Sequence, residues 1–138
     1  MTYAVAYLAI LLPFGLLDAV WLSLMGPRLY KPTLGDILLA NVNVPAAIAF
    51  YLIYPIGILI FATLPALKAG SVAPALIYAA LFGALAYGTY DLTNQATLRN
   101  WTLQLTLADM AWGTIASGLA GAASYYLTRT ISDWLGIA

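Results

Sequence analysis

Residues 87–112 read YGTYDLTNQATLRNWTLQLTLADMAW, from Tyr87 to Trp112. This stretch joins two long apolar runs through a connection of only Arg99, Asn100 and Trp101, which predicts a helical hairpin. It holds two of the five acidic residues, one of the five basic ones and two of the four tryptophans. In a chain that is 7% charged, such a density needs a reason.

The surroundings set the solvent. The chain has 138 residues, 64% of them hydrophobic, with a mean hydropathy of +0.92. Soluble domains are about 45–50% apolar and about 25% charged. A core of this size cannot hide that much apolar surface, so lipid is the expected solvent. Formal net charge is zero, which gives no attraction to nucleic acid. Cysteine and histidine are absent, which removes disulfides, thiolate or imidazole metal sites, imidazole-held haem and a histidine base. The N-terminal run lacks a basic start and is too long for a signal peptide, so it is read as a mature helix.

Four apolar runs approach the ~20 residues that cross ~30 Å of hydrocarbon. They cover about 4–25, 44–64, 72–95 and 103–127. Backbone groups in lipid must be satisfied internally, so the runs are helices. The predicted fold is an all-α integral membrane four-helix bundle, one domain over 1–138, with both termini on one side (side A). Gly26-Pro27 should end the first helix, and Pro65 the second. Asn43 and Ser71 should cap the second and third. Pro13 and Pro55 should kink their helices. Asp36 is read as the cap of a short interfacial helix between the first two spans. Side A has Lys68, Arg129 and the terminal amine, and side B has Arg28, Lys31 and Arg99. That near balance leaves orientation open. It is compatible with a homo-oligomer of antiparallel copies.

Depth counting gathers the polar residues. Asp18 lies seven residues before Met25, or ~10 Å from that end at ~1.5 Å per residue. Asp91, Asn94, Asp109, Asn43 and Arg99 fall in the same side B half. Three helix faces carry them: Phe14, Asp18, Trp21 and Met25; Tyr87, Asp91, Asn94 and Leu98; Thr102, Thr106, Asp109 and Gly113. A carboxylate in hydrocarbon costs several kcal/mol, so these faces should point inward around a pocket open to side B. The ligand-pocket candidates are Asp18, Trp21, Asn43, Tyr87, Asp91, Asn94, Arg99, Asp109 and Trp112. Three aspartates in one pocket cannot all ionise cheaply, which suits proton-coupled binding. The same aspartates would serve structure if each accepted bonds from Trp, Tyr or Asn. Arg99 could pair with Asp91 or Asp109, or anchor at the interface. Trp101 fits an aromatic belt on side B, and Tyr3, Tyr125 and Tyr126 one on side A. The small-residue rows Gly113, Ser117, Gly121 and Ala80, Ala84, Gly88 predict close helix contacts.

Two echoes run through the chain. Phe14-Gly15-Leu16-Leu17-Asp18 parallels Tyr87-Gly88-Thr89-Tyr90-Asp91, as a duplicated hairpin would. Asp18-x-x-Trp21 parallels Asp109-x-x-Trp112, on helices that cross in opposite directions. No nucleophile with a base, phosphate loop, cofactor motif or soft-metal ligand set is recognisable. Three Asp offer only weak support for a hard cation.

Tyr87-Gly88-Thr89-Tyr90-Asp91-Leu92-Thr93-Asn94, Ala96-Thr97-Leu98, Trp101, Thr106, Asp109 and Trp112-Gly113 resemble the signature of a bacterial family of small predicted membrane proteins, the domain of unknown function 2177. Asp18-Ala19-Val20-Trp21-Leu22, Asn43 and Phe50-Tyr51 resemble it too. The resemblance implies a four-helix protein of the bacterial inner membrane and carries no activity. Its relatives occur among genes for fatty-acid modification and oxidative stress, a contextual hint towards lipid. The leading expectation is binding or transport of a small amphipathic or lipid-like molecule. The alternatives are an accessory subunit of a larger membrane complex and a lipid-modifying enzyme.

Overall fold

The structure is a computed structural model that describes residues 2–136, all helical apart from short connections. Four helices follow one another: α1 Thr2–Ile37, α2 Val44–Ala69, α3 Val72–Thr97 and α4 Leu103–Leu135. They form an antiparallel bundle with both ends of the described chain on side A. The first three are each long and apolar enough to cross a membrane. The fourth is less apolar because it is the central helix. Gly113, Ala116, Ser117, Gly118, Ala120, Gly121 and Ser124 are all buried against its neighbours rather than lipid.

Helix starts follow the expected chemistry. The Asn43 side chain accepts from the Ala46 N–H at 3.3 Å, and Ser71 from Ala73 at 3.3 Å. Thr102, read from the sequence only as a member of the α4 inward face, caps α4 by accepting from the Leu105 N–H at 3.2 Å.

Helix ends differ from expectation. Gly26-Pro27 does not stop α1. The chain passes through a wide π-type turn over Gly26–Tyr30, with Pro27 near its start. A proline is tolerated where its missing N–H would have no partner. The helix then runs through Lys31–Leu34 and stops at Gly35, whose φ of +55° breaks the right-handed run. Helical winding between the first two spans belongs to α1, and the short helix expected to follow Asp36 does not form, since Leu38 to Asn43 lie outside any helix. Asp36 lies instead in a single 3-10 turn, Gly35–Ile37, and accepts from Asn100 Nδ2 at 3.4 Å. Pro65 likewise fails to end α2. It follows a second wide turn, Leu59–Thr63, and α2 continues to Ala69 before Gly70 at φ +64°. α4 runs two turns past Leu127, because Thr128 to Asp133 lose hydropathy without losing the capacity to be helical.

The closest approach is between α3 and α4. The row Gly113, Ser117, Gly121 meets Ala75, Ala79, Gly83 and Tyr87 rather than the Ala80, Ala84, Gly88 row. A Cβ on Gly83 would strike the Gly113 carbonyl and the Ser117 side chain, and one on Gly121 the Ala75 carbonyl. Gly88 instead faces the Met110 methyl. Phe14, Ile10, Tyr54 and Ile58 fill the space between α1, α2 and this pair, with Phe14 and Tyr54 stacked at 4.8 Å.

Hydroxyl pairs link the helices through the middle of the bundle and into its side A half. Tyr54 shares a 2.7 Å hydrogen bond with Ser117, and Thr63 one with Ser124, both buried and between helices. Of the expected belt residues on side A, Tyr3 and Tyr126 are exposed, but Tyr125 is 4% exposed. Its hydroxyl accepts from Arg129 at 2.7 Å.

Gly83→Val should lower stability by about 1–3 kcal/mol through overpacking, read by thermal unfolding in mild detergent. Gly15→Ala, whose added methyl meets nothing within 4 Å, should leave the midpoint unchanged or raise it slightly.

Candidate functional site

The inward faces of α1, α3 and α4 converge on a polar cluster in the side B half. Asp91 is six residues from Thr97, and Asp109 six residues from Leu103. Each therefore lies about 9 Å inside its helix end. Phe14 and Asp18 on α1, Asp91 on α3, and Thr106, Asp109 and Gly113 on α4 are buried.

Asp18 is fully occupied. Its Oδ1 accepts from the Trp112 indole N–H at 2.9 Å, and its Oδ2 from the Tyr51 hydroxyl. Asp109 accepts from the Tyr30 hydroxyl, which itself accepts from the Trp21 indole N–H at 2.8 Å. Trp21 and Trp112 stack face to face, 4.6 Å between centroids and 2° from parallel. The two Asp-x-x-Trp turns are thereby crossed. The tryptophan of α4 serves the aspartate of α1, and the tryptophan of α1 serves the aspartate of α4 through Tyr30.

Asp91 is different. It is 0% exposed, and neither carboxylate oxygen has a hydrogen-bond donor. The helix register sets it opposite Asp109: Tyr87 lies across Gly113 and Gly88 against Met110, so the next turn of α3 faces the Asp109 turn of α4. Two ionised carboxylates are both acceptors and cannot bond each other; a proton on either one completes the contact.

The remaining candidates are placed as follows. Tyr87 is half-buried and lies across Gly113, where a Cβ would collide with its ring. Its ring meets Tyr54 edge-on at 6.1 Å. Asn94 is half-buried, one turn nearer side B. Asn43 is exposed and caps α2, outside the cluster. Arg99 is exposed and is not among the partners of Asp91 or Asp109. Trp101 is no belt residue. It is 8% exposed and packs with Leu29, Leu34 and Leu105, its indole N–H bonded to Thr106 Oγ1 at 3.1 Å. Asn100 ties this plug down by donating to the Leu34 carbonyl at 3.0 Å. The side B end is therefore closed by the α1 extension and Trp101, not open.

Sequence reasoning missed Tyr30, because Gly26-Pro27 assigned it to a loop. It missed Tyr51 as a ligand of Asp18, although Tyr51 lies seven residues into α2, the same depth from side B as Asp91 and Asp109. The aromatic-Gly-x-x-Asp echo does not extend to packing. Asp18 is satisfied and Asp91 is not, and Gly15 is open where Gly88 meets Met110.

Two apolar grooves run along the lipid-facing surface. One, of about 440 Å³, is lined by residues including Phe50, Tyr54, Gly57 and Phe82 of α2 and α3. The other, of about 580 Å³, lies between α1 and α4 beside Leu12, Pro13, Leu127 and Ile131.

Fold and site together define a small helical membrane protein whose spans are tied by buried aspartates and aromatic donors. The chain belongs to the family of predicted membrane proteins catalogued as domain of unknown function 2177, which matches residues 3–126. No curated protein and no solved structure matches it.

Asp18→Leu should strand the Tyr51 hydroxyl and the Trp112 N–H and lower stability by about 1–3 kcal/mol. Trp112→Phe should cost less alone. In a double-mutant cycle the pair should show a coupling of about 1 kcal/mol, as interhelical bonds in bilayers do.

Proposed function

We propose that this protein binds a small amphipathic or lipid-like molecule, with the polar end of the ligand met by Asp91 and Asp109. The observation that carries this reading is Asp91, fully buried with both oxygens lacking a donor. An unmatched carboxylate in a hydrocarbon surrounding is costly, and such residues mark ion or substrate paths. The other buried groups without partners include the Thr128 and Ser132 hydroxyls. Those are neutral, and their isolation costs far less than that of a carboxylate.

An amphipathic partner fits the distribution of surfaces. The groove lined by Phe50, Tyr54 and Phe82 is of a size and polarity that suits a hydrocarbon chain. Tyr54 borders both this groove and the Tyr87 ring, and Tyr51 links the same part of α2 to Asp18. The tail of a bound molecule would remain in the lipid phase while its head reached the buried carboxyls.

The reading is tested by purifying the chain in lipid nanodiscs and identifying co-purified small molecules by mass spectrometry. The wild type should retain a species enriched over the bulk lipid, and Asp91→Asn should lose it while keeping its helical content. No enrichment, or an equal enrichment in Asp91→Asn, overturns the proposal. Asp91→Leu should also leave the unfolding midpoint unchanged or raised, since it removes a buried polar group to which no aromatic, amide or hydroxyl side chain donates. A fall as large as that of Asp18→Leu would make Asp91 structural.

A further inference from the structure

Charge narrows the ligand class, and this step rests on the binding reading above. Asp91 and Asp109 occupy facing turns of α3 and α4, the first fully buried and the second 6% exposed. The titratable groups around them come from every packed helix. α1 brings Tyr30, bonded to Asp109, and Asp18; α2 brings Tyr51, bonded to Asp18, and Tyr54, edge-on to Tyr87; α3 brings Tyr87 and the exposed Tyr90, whose ring packs on Trp101. All are acids or neutral phenols. Arg28, Lys31, Lys68, Arg99 and Arg129 are all exposed. The charge that balances this pair therefore comes from outside the protein, as a proton or as a cation.

We propose that the unliganded pair holds one proton between Asp91 and Asp109, and that it exchanges this proton for the head of a monocationic amphiphile such as an alkylammonium. The walls suit such a head. The stacked indoles of Trp21 and Trp112 are tied by hydrogen bonds to Asp109, through Tyr30, and to Asp18, and the Tyr87 ring lies one turn from Asp91 on the same face of α3. Aromatic faces attract an ammonium group by about 0.5–2 kcal/mol each, and quaternary heads most characteristically. A divalent cation such as Ca²⁺ needs about six to eight oxygens. Among the described residues no group of three or more metal-ligating side chains occurs. An anionic head would be repelled.

The step balances. One carboxyl O–H gives its proton to water, the cation enters, and the charge of the site is unchanged. Binding should then strengthen as pH rises, because the competing proton is withdrawn. The dissociation constant should fall by up to about tenfold per pH unit while the empty pair is protonated.

The test is calorimetric titration of the whole protein in zwitterionic nanodiscs with dodecyltrimethylammonium, against dodecanol and against empty discs. Runs in two buffers of different ionisation heat count the protons. The expected result is saturable binding of the cation above empty discs, release of about one proton per ligand, and much weaker binding of dodecanol. Asp91→Asn and Asp109→Asn, each checked for helical content, should abolish the release. Cation binding without proton release overturns the exchange while leaving the ligand-binding reading in place. Dodecanol binding as tightly, and requiring Asp91, overturns the cationic class and again leaves that reading in place. No binding of the cation above empty discs overturns this inference, and the co-purification experiment then decides the broader reading by itself.

Discussion

The crossed exchange between the two Asp-x-x-Trp turns is the constraint around which the bundle is arranged. Trp112 of α4 donates to Asp18 of α1, while Trp21 of α1 reaches Asp109 of α4 through the Tyr30 hydroxyl. The stacking of the two indoles fixes the rotation of both helices at once. In hydrocarbon there is no water to replace a lost donor, so each bond holds its helix to one angular setting. Two antiparallel helices serving each other in this way need no charged partner, and the carboxylates Asp18 and Asp109 are held by neutral donors throughout.

That arrangement separates the three buried aspartates by what they touch. Asp18 has both oxygens filled and acts as a joint between α1, α2 and α4. Asp109 is in the joint through Tyr30 and stands on the turn of α4 that faces the Asp91 turn of α3. Asp91 takes no part in it. The same residue type at similar depth thus covers a range from fully structural to fully uncommitted, and the difference comes from the aromatic donors alone.

Much of this was legible in the sequence. The apolar runs gave four helices, Asn43 and Ser71 gave two starts, and the spacing of Asp18, Asp91 and Asp109 gave inward faces. The ends were not legible, and for one reason. Gly26-Pro27 and Pro65 stop a regular helix, but each stands beside a wide turn that leaves the proline without an N–H to lose. A wide turn also holds an extra residue, which rotates everything after it by about 100° relative to regular winding. Face counting from Asp18 therefore could not find Tyr30. Trp101 was misread, whereas the exposed Arg99 fits the anchor that was one of its two readings. Charge and aromaticity at a helix end usually mean an interface, but here Trp101 is covered by Leu29 and Leu34, which the sequence had placed in a loop. The low apolarity of α4 was visible, yet its cause was not, because a helix lined with Gly, Ser and Ala declares itself central only once its neighbours are known.

The length of that central helix makes the two ends of the molecule unlike. α4 has 33 residues, so it is about 50 Å long, against about 30 Å of hydrocarbon. Its start is pinned at side B beneath the Trp101 plug, so the surplus length accumulates at side A. The clasp of Arg129 on Tyr125 lies two turns before the end, and Trp134 beyond it is 83% exposed. The start of α1 accompanies the end of α4, Val5 and Leu8 lining one groove with Leu127 and Ile131, so these two helices together extend past the α2–α3 turn, which packs at Tyr125. A neighbour in the same bilayer meets a cylinder cut by two apolar grooves, whereas anything approaching from water on side A meets the paired ends of α1 and α4 first.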